Sequence, residues 1–120
     1  MNKRLQPLGK ASDLLSSIGN PIRMQILQAL GLGEACVCHL ESQLGLRQAN
    51  ISQQLMILRG KKIITARRAG KFIYYRLANP EILGVIRAAE RVAGEKVLRI
   101  SKQPLSDCAC PKCEGVKSFA

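Results

Sequence analysis

With 120 residues, 47% hydrophobic content and only 3% aromatic content, the chain suits one domain with a real core and a simple architecture. A net charge of +11 points to a polyanionic partner, nucleic acid before a membrane surface. No apolar run approaches the ~18 residues of a membrane span, and the opening MNKRLQPLGK lacks the apolar stretch of a secretory leader, so a soluble cytoplasmic protein with no membrane partner is expected.

The first clear helix lies in SIGNPIRMQILQALG, with Asn20 as N-cap and Pro21 at the first helical position, where its missing N–H costs nothing. Ile22, Ile26 and Leu30 follow at helical spacing, and Gly31 and Gly33 end the run. VCHLESQLG is short and amphipathic, with Leu40 and Leu44 on one face and Gly45 as a stop. RQANISQQLMILRGKK then sets Ile51, Leu55 and Leu58 on one stripe, with Ala49, Asn50, Ser52, Gln53 and Met56 on the opposite arc. Two short helices separated by GLR make a helix-turn-helix whose second member presents small and amide side chains outward.

That outward face lacks the Glu/Lys pairs usual on a solvated helix and carries Gln48, Asn50, Ser52, Gln53 and Gln54. Amides can bond adenine bidentately in the major groove, and hydroxyls can contact phosphates or bases. Between Glu41 and Glu81 there is no acidic residue, whereas Arg47, Arg59, Lys61, Lys62, Arg67, Arg68, Lys71 and Arg76 all fall there. So long a stretch of one sign repels itself unless a partner neutralises it, which favours DNA readout over a merely solvated face.

After Gly60 the period changes. IITARRAGKFIYYRL is β-branched and aromatic on both sides of RRAGK, where Gly70 supplies a turn. This predicts a two-stranded hairpin with Arg67, Arg68 and Lys71 near its tip, a wing placed to touch phosphates or enter the minor groove. ANPEILGVIRAAERVAGEKVLRI repeats the Asn-Pro start at Asn79 and Pro80 and predicts a long terminal helix, with Ile82, Val85, Ile86, Ala89, Val92 and Ala93 on one side. That face is either core or a dimer seam. The reading favours the seam, with Ile82, Ile86, Ala89 and Ala93 near it.

From about Ser17 to Val92 the chain resembles the ArsR/SmtB family of winged-helix, metal-responsive transcriptional repressors. The resemblance is carried by GNPIRMQILQAL, ACVCHLESQLGL, QANISQQLMILRGKKII and RRAGKFIYYRL, in family order and spacing. It implies a mainly α, winged helix-turn-helix homodimer whose first and last helices form the interface. It also implies binding of a palindromic double-stranded DNA operator when metal-free, and release when an inducer binds. On this reading residues 1–100 form the DNA-binding and dimerisation domain and 101–120 a cysteine-containing tail, with Arg47, Gln48, Ala49, Asn50, Ser52, Gln53, Arg67, Arg68 and Lys71 on the DNA. The chain departs from the family pattern in several places. Arg47 stands where a serine usually caps the recognition helix, Gln54 where a histidine is common, and His39 where CVCDL has aspartate. His39 is also the sole histidine, which argues against the zinc or nickel site that relatives carry on the last helix.

Five cysteines, an odd number, in a reducing compartment argue against a disulfide framework and for ligand or sensor chemistry. In a regular helix, Cys36 and Cys38 would point about 200° apart and could not share an ion. If Cys36 sits in the lead-in before the first turn, both sulfurs can converge, and the family uses the matching positions as thiolate ligands. A helix N-terminus would also favour the thiolate. His39 projects away from Cys38 and suits a surface or capping role. SDCACPKCEG adds Cys108, Cys110 and Cys113, too dense a cluster for an incidental tail, and the roughly ten residues after Leu98 span up to about 33 Å when extended. The tail can therefore reach Cys36 and Cys38 of either protomer.

Thiolates select soft ions. Arsenite or antimonite, which suit three sulfurs in a pyramid, rank narrowly ahead of cadmium or lead as inducer, with no organic cofactor expected. Two alternatives keep the same fold: a thiol redox or persulfide sensor, and a DNA-binding protein whose tail zinc is purely structural. Catalysis is not expected, because one histidine leaves little material for a Cys-His or Ser-His-Asp arrangement and the GLG at 31–33 is no phosphate loop.

Overall fold

A computed structural model of the chain describes residues 9–95. The helical pattern begins earlier than the sequence suggested, with α1 over Gly9–Ile18. GKASDLLSSI has a thin apolar stripe: Ile18 is buried and Leu14 packs partly on the core, while Leu15 is exposed. Only packing of that i, i+4 pair identifies the segment as a helix. Gly19 closes it, donating its N–H to the Leu15 carbonyl at 2.9 Å. A Cβ on Gly19 would stand 2.9 Å from that same oxygen, so the tight junction requires glycine.

Helix α2 (Pro21–Leu30) starts as its sequence signals: Asn20 is extended and its side-chain oxygen accepts from the N–H groups of Ile22 and Arg23, at 2.9 and 3.1 Å. Ile26, Leu27 and Leu30 enter the core. Helices α3 (Val37–Leu44) and α4 (Gln48–Gly60) form the helix-turn-helix, and Gly45 between them takes a left-handed φ of 67°. Leu40 from α3 and Ile51, Leu55 and Leu58 from α4 are fully buried, as the stripe in RQANISQQLMILRGKK requires. Arg47 is extended at the N-cap of α4 but supplies no side-chain cap.

Strands β1 (Ile64–Ala69) and β2 (Phe72–Leu77) pair antiparallel, from Ile64 opposite Leu77 to Ala69 opposite Phe72. The two-residue connection has φ of 62° at Gly70, the positive first central position of a type II′ turn. Ile64 and Leu77 root the hairpin in the core, while its tip projects away.

Helix α5 (Glu81–Ala93) is preceded by Asn79, whose side-chain oxygen accepts from the Glu81 N–H at 2.9 Å, while Pro80 at the N-cap itself supplies no side-chain cap, unlike Asn20 at α2. It ends at Ala93, where Gly94 adopts a left-handed φ of 75°, and the part of the sequence pattern beyond residue 95 lies outside the described residues. Ile82, Leu83 and Ile86 pack into the core of their own chain. Ala89, Val92 and Ala93 are exposed instead, Val92 by 90%. Glu90 is buried and accepts from the Gln28 side chain at 3.1 Å, tying α5 to α2. Among the described residues no helix is long and apolar enough to cross a membrane.

The two helix caps make opposite stability predictions. Asn20→Ala should cost about 1–2 kcal/mol, whereas Arg47→Ser, which supplies the missing cap of α4, should gain about 0.5–1 kcal/mol. Urea unfolding should show the midpoint falling in the first variant and rising in the second, with the slope unchanged.

Candidate nucleic-acid interface and sulfur site

On α4 the outward arc carries Arg47, Gln48, Ala49, Gln53 and Met56, all exposed, with Asn50 and Ser52 half-buried beside them. Met56 is 74% exposed, unusual for so large an apolar side chain on a helix that otherwise buries its stripe. Gln54 is half-buried and turns inward, its side-chain oxygen accepting from Nη1 of Arg23 at 3.1 Å. Arg23 also donates through Nε to the Ser17 carbonyl, so one guanidinium links the end of α1 to the middle of α4. Gln54 orients the recognition helix rather than extending its outward surface.

The basic residues of the wing differ among themselves. Arg68 is exposed and curls onto its own turn, donating to the Gly70 carbonyl at 3.2 Å. Lys71 is exposed with its ammonium 5.6 Å from the Phe72 ring centre. Arg67 is engaged: its Nε and Nη2 each donate to one oxygen of Glu34 at 2.9 Å, and its guanidinium lies 4.9 Å from the centre of the Tyr74 ring. The hydrogen bonds to Glu34 raise the Arg67 pKa further, against a smaller effect of desolvation. At the far end of α4, Lys61 meets Asp13 of α1 at 3.1 Å, with both side chains about half exposed, a pair of little energetic weight.

The sulfur pair sits where α3 begins. Cys36 is the N-cap residue of α3 with extended backbone (φ −88°, ψ 170°), and Cys38 lies in the first turn. This change of backbone turns the two side chains toward each other, with Sγ atoms 3.1 Å apart. That separation exceeds a disulfide bond of about 2.05 Å and is inside the ~3.8 Å sulfur–sulfur edge of a tetrahedral zinc site with 2.3 Å bonds. Cys36 and Tyr74 are both 3% exposed and pack together, with Cys38, Ala69 and Phe72 around them. His39 is half-buried, with burial lowering its pKa and a side-chain hydrogen bond to Gln43 acting the other way. An open groove lined by Cys38, Glu41, Ser42, Gly45, Leu46 and Arg47 leads from the pair to the start of α4.

Among the described residues no three His, Cys, Asp or Glu side chains converge as a metal site. Cys36 and Cys38 are thus two soft donors that fit part of a thiophilic site and need at least one more. Cys108, Cys110 and Cys113 lie outside the described residues. Sequence reasoning also missed how the pair is anchored. Ala35 forms an isolated antiparallel bridge with Tyr75, N–H to carbonyl in both directions at 3.0 and 2.8 Å, so the lead-in to α3 is hydrogen-bonded to the outer edge of the wing. The signal available was the acidic Glu34 just before CVC, opposite a hairpin rich in arginine.

A helix-turn-helix with an amide-bearing second helix, followed by a basic hairpin rooted in the same core, defines a winged-helix regulatory protein. The family described as bacterial regulatory protein, arsR family, matches residues 20–66. The nodulation protein NolR of Rhizobium meliloti is 32% identical over 95 residues, covering 79% of this chain and 78% of that protein. A transcriptional repressor SmtB homolog of Synechocystis is 32% identical over 76 residues, covering 63% of this chain and 58% of that protein. The crystal structure of NolR from Sinorhizobium fredii superposes with a TM-score of 0.68 at 28% identity, over 80% of this chain and 96% of that one. The chain belongs to the ArsR/SmtB family of transcriptional regulators.

If Arg23 and Gln54 support each other as their geometry indicates, Gln54→Ala should cost about 1–2 kcal/mol in the wild-type background and much less in Arg23→Ala. A double-mutant cycle from denaturant unfolding measures the difference. Additive losses would mean that the two side chains act independently.

Proposed function

We propose that the chain is a homodimeric DNA-binding repressor that leaves its palindromic operator when a thiophilic ion binds Cys36 and Cys38 together with at least one of Cys108, Cys110 and Cys113. Arsenite or antimonite is the favoured inducer, with cadmium or lead next. The observation that carries this reading is the 3.1 Å approach of two sulfurs at the first turn of the helix-turn-helix. Ordinary core filling explains the burial of Cys36 beside Tyr74, but not the presence of a second sulfur in contact with it. The proposed relation to repression draws on the relatives named as repressors.

On this reading Arg47, Gln48, Ala49, Asn50, Ser52 and Gln53 of α4 enter the major groove, while Arg68 and Lys71 meet phosphates, with Arg67 beside them. The exposed Ala89, Val92 and Ala93 of α5, with Leu15 of α1, supply the apolar surface for a second copy. Small side chains there allow two helices to approach closely. Residues 101–120 serve as the tail that completes the sulfur site, within one protomer or across to its partner. A useful switch needs a coupling of about 1–3 kcal/mol or more, and DNA must weaken inducer binding by the same factor.

A second reading keeps the fold and replaces the ion by an oxidant or persulfide acting on the same sulfurs. Their contact favours it as well as it favours ligation. The deciding experiment is a titration of the reduced full chain, bound to a duplex selected from random sequence, with arsenite, antimonite, cadmium, lead, zinc and a persulfide donor in turn. Arsenite or cadmium should release the duplex from wild type but not from the Cys36→Ser/Cys38→Ser variant, which should still bind DNA. Equal release from both would reject the pair as sensor. Release only by the persulfide donor, reversed by reductant, would select the second reading.

Readout and phosphate contacts separate in the same assay. Gln53→Ala should change which duplex is preferred. Arg68→Ala should weaken all duplexes alike and reduce the salt slope of log Kd by about one. Equal losses on specific and random duplexes for both variants would undo these assignments.

A further inference from the structure

The sulfur pair has a route to the DNA-facing side that does not pass through α4. Three successive residues grip the wing by three different interactions. Glu34 holds Arg67 through both carboxylate oxygens at 2.9 Å, and Ala35 exchanges two backbone hydrogen bonds with Tyr75. Cys36 packs on Tyr74, whose ring in turn lies under the Arg67 guanidinium. The carboxylate is shielded, with its side chain 13% exposed, whereas that of Arg67 is 52% exposed. A fork held on one edge by a carboxylate uses two of its five N–H groups, and its remaining donors have a fixed direction.

A ligand on Cys36 and Cys38 acts where the extended backbone at Cys36 passes into α3, its carbonyl accepting from the Leu40 N–H at 3.2 Å. Glu34 is only two residues back along the same strand-like segment. A shift of its carboxylate by a fraction of an ångström breaks a bidentate geometry, because both bonds must be satisfied at once. A bidentate pair of this kind fixes the direction of the guanidinium as well as its position.

We propose that Glu34 is a positioning residue: it aims Arg67 of the wing at a DNA phosphate, and occupation of the Cys36/Cys38 site withdraws that aim by moving the 34–36 segment. The proposal rests on the function proposed above, and deepens it by naming the connection between inducer site and wing.

The test uses the reduced full chain with cadmium as probe, in two arms. In the first, without DNA, the Arg67 Nε–H resonance, assigned through Arg67→Lys, should move as cadmium–sulfur absorbance grows, and should stay in place in Cys36→Ser/Cys38→Ser. In the second, Glu34→Ala should bind cadmium within about twofold of wild type yet lose about fivefold or more of the ratio between operator Kd values with and without cadmium. Arg67→Ala should lose the same factor, the double variant no more, and Glu34→Gln, which keeps one acceptor, should fall between. An unmoved Arg67 resonance at saturating cadmium, or a full ratio in Glu34→Ala, would overturn the proposal. If wild type is released by neither cadmium nor arsenite, the proposed function fails, and the resonance arm alone decides whether the sulfur site moves Arg67.

Discussion

Two backbone hydrogen bonds between Ala35 and Tyr75 set the relation between the helix-turn-helix and the wing. Without them the segment from Gly31 to Cys36 would be a surface connection, and α3 could begin at Cys36 or earlier. With them, Ala35 is held as strand, Cys36 is extended, and the helix must start at Val37. The side chain of Cys36 is thereby turned onto Tyr74, and Cys38 is one turn-forming step away. The geometry of the sulfur pair, the reach of Glu34 to Arg67 and the entry angle of α3 all depend on that short bridge.

The distribution of charge fits the same frame. The stretch between Glu41 and Glu81 is basic throughout, yet acids from outside it, Asp13 and Glu34, reach back to hold Lys61 and Arg67. Both are long-range contacts, but only the bidentate Glu34–Arg67 pair gives its cation a fixed direction. Arg23 acts similarly from beneath, using Gln54 to set the rotation of α4. A surface that must meet a regular phosphate array needs some cations with fixed direction and others free to adapt, and ion pairing from the rear edge gives the first kind.

Most of the fold was legible because its signals are local. Asn20 caps α2 and Asn79 bonds the first N–H of α5, Gly45 and Gly70 take the positive φ their turns need, and the stripe of Ile51, Leu55 and Leu58 sets which face of α4 is buried. The failures are equally physical. Helix α1 carries too few apolar residues for its period to show, and depends on packing that only the folded chain provides. On α5 the apolar side reads as one stripe, but a small domain draws its larger members, Ile82 and Ile86, into its own core and leaves only alanines and Val92 outside. The convergence of Cys36 and Cys38 could be stated as a condition on the helix start, whereas the residues that enforce that condition lie 40 positions away in the wing and left no mark in the spacing.

A ligand can bias a structure only by the difference between its affinities for two arrangements. Two sulfurs on a rigid lead-in would bind an ion without changing anything, and two on a floppy loop would bind it without transmitting anything. The lead-in found here is intermediate. It is held at the wing by a backbone bridge, an ion pair and an apolar contact, and at α3 by the carbonyl–amide bond from Cys36 to Leu40 and the sulfur contact with Cys38. Donors recruited from beyond residue 95 would pull outward on the sulfurs against those inward holds. On the proposed function, the strength of the switch is then set by how much of the binding energy of the added donors is spent in loosening the 34–36 segment from the wing. A tail that bound too tightly on its own would capture the ion and leave the operator untouched. On the proposed function, a site with two sulfurs on the fold and the remainder outside it would make capture and release the same event.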